Sequence, residues 1–285
     1  MDSFKLNDGN KIPKLGFGVF QVDDLNECEK VVSDAIKVGY RLFDTAAIYK
    51  NELAVGRAIK KSGIPRSEFF ITSKLWISSN YAEAQEGIKK SLKNLDTDYI
   101  DLYLIHQPYG DTMGEWRALE DAKRAGKLRS IGVSNFYSDV VKNIELFNDI
   151  KPAVNQLEVN PWNQQLDEVK FNQQEDIQVE AWAPFAEGKH DIFQNELLKD
   201  IGSKYGKSNG QVILRWLLQR NIVVIPKSTH VSRMKENIDV FDFQLTDEEM
   251  NKIAELNKNE SQFFDRRDPR DIEKIVRGEK VGAEN

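Results

Sequence analysis

The chain has 285 residues with 40% hydrophobic and 30% charged content, enough to bury a full core as one large domain or two small ones. Its net charge of -6 is spread along the chain with no Lys/Arg-rich run, which sets aside nucleic acid and anionic membrane surfaces as partners. A lone cysteine, Cys28, excludes an internal disulfide, and no stretch approaches the roughly 20 apolar residues of a membrane helix; the expected setting is the cytoplasm.

The first elements read as a hairpin, "FKLND" then "NKIPK". After it, eight short β-rich runs alternate with helical-period segments: "KLGFGVF", "YRLFDTA", "FFITSKL", "IDLYLIH", "LRSIGVS", "AVNQLEV", "IQVEAWA" and "IVVIPKS". Between them, Cys28, Val31, Val32, Ala35 and Ile36 share one helix face, and Ile88, Leu92 and Leu95 share another. Gly39, Gly63 and Gly126 stand where helices should stop, and Ser208 with Gln211 and Thr246 with Glu249 have the spacing of capping boxes. Apolar strands repeated eight times with helices between them argue for a parallel sheet closed into a (β/α)₈ barrel, with an open doubly wound sheet as the alternative. The expected organisation is a single domain over 1–285, its core running from about residue 4 to 269 and followed by a polar tail, 270–285.

Barrel enzymes build their sites from residues at the C-terminal ends of strands. Here those ends offer Asp44 with Tyr49 beyond it, Lys74, His106, Ser134 and Asn135, Gln156 slightly deeper, Trp182, and Lys227 with Ser228. A tyrosine is a poor proton donor at neutral pH unless a nearby cation stabilises its phenolate, a task open to Lys74. Asp44 could hold that lysine charged, and His106 could hydrogen-bond the substrate oxygen. The set suits protonation of a carbonyl oxygen as hydride reaches its carbon. Taken singly, each residue has a blander reading: Asp44 as a cap, Lys74 as a surface lysine, His106 or Trp182 as packing, Arg233 as helix surface. Their convergence on one end of successive strands outweighs those readings.

The ordered stretches "KIPKLGFGVFQV", "LFDTAAIYKNE", "ITSKLW", "DLYLIHQP", "IGVSNF", "VNQLEVNPW", "EAWAPF" and "VIPKSTHVSRMKENI" resemble the aldo-keto reductase family, in particular its bacterial single-domain members. The resemblance implies NADPH-dependent reduction of aldehydes and ketones on a barrel with a C-terminal substrate loop. It implies a tetrad of Asp44, Tyr49, Lys74 and His106, with Tyr49 as proton donor. By the same carry-over, Ser134, Asn135 and Gln156 hold the nicotinamide carboxamide, Trp182 stacks on the ring, and Gly18 and Val19 lie beside it. Lys227, Ser228, Thr229 and Arg233 take the adenosine 2'-phosphate, with Glu236 and Asn237 near the adenine. The pocket walls are Phe20, Ile48, Trp76, His106 and Trp162, with additions from "FFDRRDP". Phe20, Gln107 and Asn160 depart from residues frequent in the family, so substrate identity stays open.

The family needs no dinucleotide fingerprint, and "GFGVFQ" and "GSKYGKS" are near misses to glycine-loop motifs. The scattered histidines His106, His190 and His230 give no metal spacing, so no metal is expected. Two other readings stand beside the reductase: a Schiff-base lyase using Lys74, and a nicotinamide-sensing regulatory protein. The expected partner is a small carbonyl substrate. A monomer is the working expectation, although no feature of the sequence fixes the oligomeric state.

Overall fold

A computed structural model describes residues 2–277. Strands β1 (Ser3–Lys5) and β2 (Lys11–Pro13) form the antiparallel hairpin, with Phe4 opposite Ile12. The eight expected runs contain the eight strands of one parallel sheet: β3 (Phe17–Gly18), β4 (Leu42–Asp44), β5 (Phe70–Leu75), β6 (Ile100–Ile105), β7 (Leu128–Ser134), β8 (Val154–Glu158), β9 (Gln178–Trp182) and β10 (Val223–Val224). A parallel bridge between Leu15 and Val224, with the Gly16 amide donating to the Val224 carbonyl at 2.8 Å, joins the two edges. The sheet is thus closed, and the open doubly wound alternative is excluded.

Helices α1 (Leu25–Val38), α2 (Glu52–Lys61), α3 (Tyr81–Asn94), α4 (Thr112–Arg124), α5 (Ser138–Phe147), α6 (Leu166–Gln174), α7 (Glu196–Tyr205), α8 (Asn209–Gln219), α9 (Val231–Ile238), α10 (Asp247–Ala254) and α11 (Pro269–Arg277) follow in chain order. The apolar face of α1 is buried as its periodicity predicts, and the Asp24 carboxylate caps its start by accepting from the Asn26 and Glu27 amides. Gly39 ends it in the left-handed region, at φ 119°. Both capping boxes form, at Ser208–Gln211 and Thr246–Glu249. The "GSKYGKS" stretch belongs to α7 and its left-handed stop at Gly206, so it cradles nothing.

Two apolar cores result. One fills the layer between sheet and helices. The other lies in the barrel lumen, where Leu42, Phe70, Leu102, Val154 and Val223 meet Leu6 and Ile12 of the hairpin. The hairpin therefore plugs the N-terminal end, and the lumen opens only where the strands end. Within the expected polar tail, residues 269–277 form α11, with Ile275 buried and the Asp268 carboxylate accepting from the Arg270 amide at its start. The rest of that tail, 278–285, lies outside the described residues.

Candidate active site

In a strand, residues two apart face the same side. The parity that points Leu42, Phe70, Leu102 and Val154 into the lumen also points Asp44, Lys74, His106, Gln156 and Glu180 there, higher up. A polar layer thus sits on an apolar one. Lys74 is fully buried, and its Nζ donates to Asp44 Oδ1 at 2.6 Å and to the Thr45 carbonyl at 3.1 Å. Gln156 Nε2 donates to the other Asp44 oxygen at 2.9 Å. The aspartate is held from both sides.

Tyr49 reaches the same spot from the short 3₁₀ turn Ala47–Tyr49 that follows β4. The Lys74 ammonium stands 5.1 Å from its ring centroid, and the His106 ring meets it edge-on at 5.7 Å. Asn51 fixes this loop: its Nδ2 donates to the carbonyls of Val19 and Val22, and its Oδ1 accepts from the Thr45 hydroxyl at 2.7 Å. The structure thus brings Asp44, Tyr49, Lys74 and His106 together.

Their charge states follow from burial and from one another. Burial pulls the Lys74 ammonium toward losing its proton, but Asp44 and Tyr49 outweigh this and hold its pKa above the ordinary lysine value. Burial raises the Tyr49 phenol, Lys74 opposes, and Asp44 adds to the rise; the net direction is up. The expected lowering by Lys74 is present but does not win, because a phenol surrounded by protein loses more solvation than one paired lysine returns. Burial and the cations Lys74 and Arg266 push His106 well below the usual histidine value, so the ring is neutral. Its Nδ1 has no partner.

Beside this cluster, Ser134 Oγ donates to the Gln156 carbonyl, and Asn135 Nδ2 donates to Ser134 Oγ and to the His106 carbonyl, each at 3.0 Å. Asn135 sits at φ 66°, a left-handed position that asparagine tolerates. The Trp182 indole donates to Asn135 Oδ1 at 2.9 Å. Gly18 lines the same end: a Cβ there would come 3.0 Å from the Ile225 carbonyl oxygen, and the adjacent Val19 amide donates to the Asp44 carbonyl. Lys227, Thr229 and Arg233 are exposed around the start of α9, where no side chain caps the helix and Ser228 Oγ accepts from the His230 amide. Neither cation makes an ion pair among the described residues, which leaves a cationic helix start suited to a phosphate dianion. Glu236 is tied to the Ser208 hydroxyl, and Asn237 is buried.

Of the expected pocket walls, Phe20 packs on Tyr49 at 4.9 Å and Trp76 meets His106 edge-on at 5.2 Å. Ile48 is exposed next to them. Trp162 stands apart: it is buried in the core outside the sheet, with Lys258 over its ring, and makes no ring contact with the others.

Four residues escaped the strand-end reading. Glu180 is fully buried, neither carboxyl oxygen has a hydrogen-bond partner among the described residues, and burial followed by the charge of Asp44 pushes its pKa up to about 8. Glu158, also buried, accepts from Asn160 Nδ2, the Gln262 amide and the Ser261 hydroxyl, and so ties the C-terminal segment to the barrel rim. Asn51 and Arg266 are the others. Strand parity signals both glutamates, two residues before Trp182 and two after Gln156; a loop asparagine and a tail arginine carry no such mark.

The Aldo/keto reductase family model matches residues 14–258. The chain belongs to the aldo/keto reductase family. The reductase is 47% identical over 264 residues to the glyoxal reductase of Bacillus subtilis, covering 91% of this chain and 94% of that one. It is 40% identical over 257 residues to a methylglyoxal reductase of Escherichia coli, covering 89% and 93% of the two. Among solved structures, a Bombyx mori aldo-keto reductase in complex with NADP superposes with a TM-score of 0.88 at 38% identity, over 93% of this chain and 95% of that chain. The fold, the family and NADPH-dependent carbonyl reduction go together here. Among the described residues, no helix is long and apolar enough to cross a membrane.

Proposed function

We propose that the reductase converts small aldehydes and ketones to alcohols at the Asp44–Tyr49–Lys74–His106 cluster, with Tyr49 as the acid. The observation that carries this assignment is the buried 2.6 Å contact between Lys74 and Asp44 beneath the Tyr49 ring. NADPH, when bound, supplies the hydride. Ser134, Asn135 and Gln156 are the donors and acceptors for its carboxamide, Trp182 is the ring platform, and Lys227, Ser228, Thr229 and Arg233 are the 2'-phosphate binders.

The substrate oxygen gathers negative charge as its carbon is reduced, and Tyr49, protonated at neutral pH, gives that oxygen its proton. Lys74, held cationic by Asp44, stabilises the phenolate left behind. Neutral His106 can orient the oxygen by one hydrogen bond without adding charge. Phe20, Ile48 and Trp76 provide apolar walls, each of which separates substrates by only about 1 to 3 kcal/mol, so broad acceptance of small carbonyl compounds follows. The relatives named as glyoxal and methylglyoxal reductases make methylglyoxal the first substrate to try.

The test is NADPH oxidation at 340 nm with methylglyoxal, for the wild type and Tyr49→Phe. Loss of a positioned acid should lower kcat by about 100-fold or more while NADPH still quenches tryptophan fluorescence. Equal turnover by the variant rejects Tyr49 as the acid. Covalent trapping of substrate on Lys74 by borohydride would instead favour the lyase reading.

A further inference from the structure

The C-terminal segment sets an arginine over the mouth in an unusual state. Arg266 is only 9% exposed, yet it makes no ion pair and donates no side-chain hydrogen bond among the described residues. Its Nε–H is sealed from solvent with no acceptor. The guanidinium lies 4.7 Å from the Trp182 ring centroid and 4.3 Å from that of Phe264, and aromatic faces return only part of a cation's lost hydration. The Tyr109 hydroxyl fixes the backbone by donating to the Arg266 carbonyl at 2.8 Å. Arg267, next in sequence, is exposed and lies over Tyr137 instead.

The carboxylate whose charge Arg266 feels most, Glu158, is engaged elsewhere, and Asp265, which Arg266 also feels, accepts from the Arg267 amide. Both Glu158 oxygens accept from Asn160, Ser261 and Gln262 rather than from Arg266. The Glu158 charge is felt by Arg266, and that of Arg266 is felt in turn by His106 and Tyr49, so the cation belongs to the same small volume as the tetrad. A guanidinium cannot escape the cost by losing its proton. An anion on the ligand side is what this arrangement lacks.

We propose that Arg266 is a specificity residue that receives a carboxylate on the substrate, so that the reductase favours carbonyl compounds carrying an anionic group over neutral ones. The inference rests on the carbonyl-reductase reading given above. Arginine suits the task because its planar fork matches a carboxylate with two parallel hydrogen bonds, which lysine cannot reproduce. The aromatic faces of Trp182 and Phe264 hold that fork in place.

The experiment compares 4-carboxybenzaldehyde with its methyl ester, which keeps the reacting aldehyde and removes the charge. The readout is the ratio of the two kcat/KM values, measured for the wild type, Arg266→Met and Arg266→Lys. A charge-assisted bidentate contact predicts a wild-type ratio favouring the acid, a fall of about 10- to 100-fold in that ratio for the methionine variant, and an intermediate ratio for lysine. The change should appear mainly in KM for the acid. A second measurement needs no turnover: benzoate binding to the protein saturated with NADP+, followed by tryptophan fluorescence, should weaken by a similar factor in Arg266→Met.

An unchanged ratio together with unchanged benzoate affinity overturns the proposal. So does a loss of NADPH affinity in Arg266→Met, which would assign the cation to a cofactor phosphate. If neither aldehyde is reduced by the wild type, the reductase reading fails, while the benzoate titration still decides whether Arg266 receives a carboxylate.

Discussion

Replacing Glu180 with glutamine should change how stability depends on pH. In the folded chain the Glu180 carboxyl titrates at about 8, against an ordinary value of 4.5. Above its ordinary value the unfolded chain has released this proton while the folded chain keeps it. Stability then falls as pH rises, by about 1.4 kcal/mol for each pH unit, until the folded group itself ionises. From pH 5 to pH 8 the sum is about 4 kcal/mol charged against the wild type. Glutamine has the same shape and no proton to lose, so Glu180→Gln removes this slope, together with the support that the Glu180 charge gives the Lys74 ammonium once it forms. Urea unfolding followed by fluorescence at pH 5, 6, 7 and 8 isolates the effect as the difference between the two proteins. That difference should widen in favour of the variant toward pH 8. A difference constant to within about 0.5 kcal/mol over the range would show that Glu180 ionises normally in the lumen and that its unpartnered oxygens find other compensation.

The directions found for Tyr49 and His106 predict the pH profile of reduction. Neither group changes protonation between about pH 7 and 9, whereas Glu180 in the same polar layer titrates at about 8, so kcat of Glu180→Gln should be level there and fall only at higher pH, as Tyr49 loses its proton; a steep change near pH 7 in that variant would contradict a neutral His106 and a protonated Tyr49. Asn51→Ala strands the Val22 carbonyl and the Thr45 hydroxyl, while the Val19 carbonyl keeps the Val22 amide. At about 1 to 3 kcal/mol for each buried group left unpaired, the cost should exceed about 2 kcal/mol, and scanning calorimetry should find melting lowered by at least about 3 °C. A decrease under about 2 °C would mean that the loop between β3 and α1 repairs itself.

The cluster proposed as the tetrad was legible in the sequence because each member closes or closely follows a strand, and strand ends are where barrels place chemistry. Asp44, Lys74 and His106 needed only the strand count and direction; Tyr49 needed one short turn more. Glu180 lies mid-strand in a run whose apolar neighbours read as core, so only its parity with Trp182 marks it. Arg266 could not have been singled out. Its neighbour Arg267 has the same chemistry one position away, and which of the two turns inward depends on the path of the segment between Ser261 and Pro269. The net direction of the Tyr49 pKa was likewise hidden, because burial and Asp44 push it up while Lys74 pulls it down. Lysine proximity can be guessed from strand order, whereas the depth of burial requires the finished fold. For α11, composition showed only that the segment is polar, because its polar residues outnumber the apolar ones that dock it.

The hairpin plug has a practical side. Leu6 and Ile12 stopper one end of the barrel, while Ser261 and Gln262 are moored to Glu158 at the other. The two ends of the chain therefore make unequal handles. A fluorescent protein, affinity tag or surface tether joined ahead of β1 would hang from the blind end, a barrel's length from the reacting groups. The same cargo joined behind α11 would pull on the strap that carries Phe264 and Arg266 across the opening, and would load that strap mechanically each time the cargo moved. For an immobilised form of this reductase, the stoppered end is the one to hold.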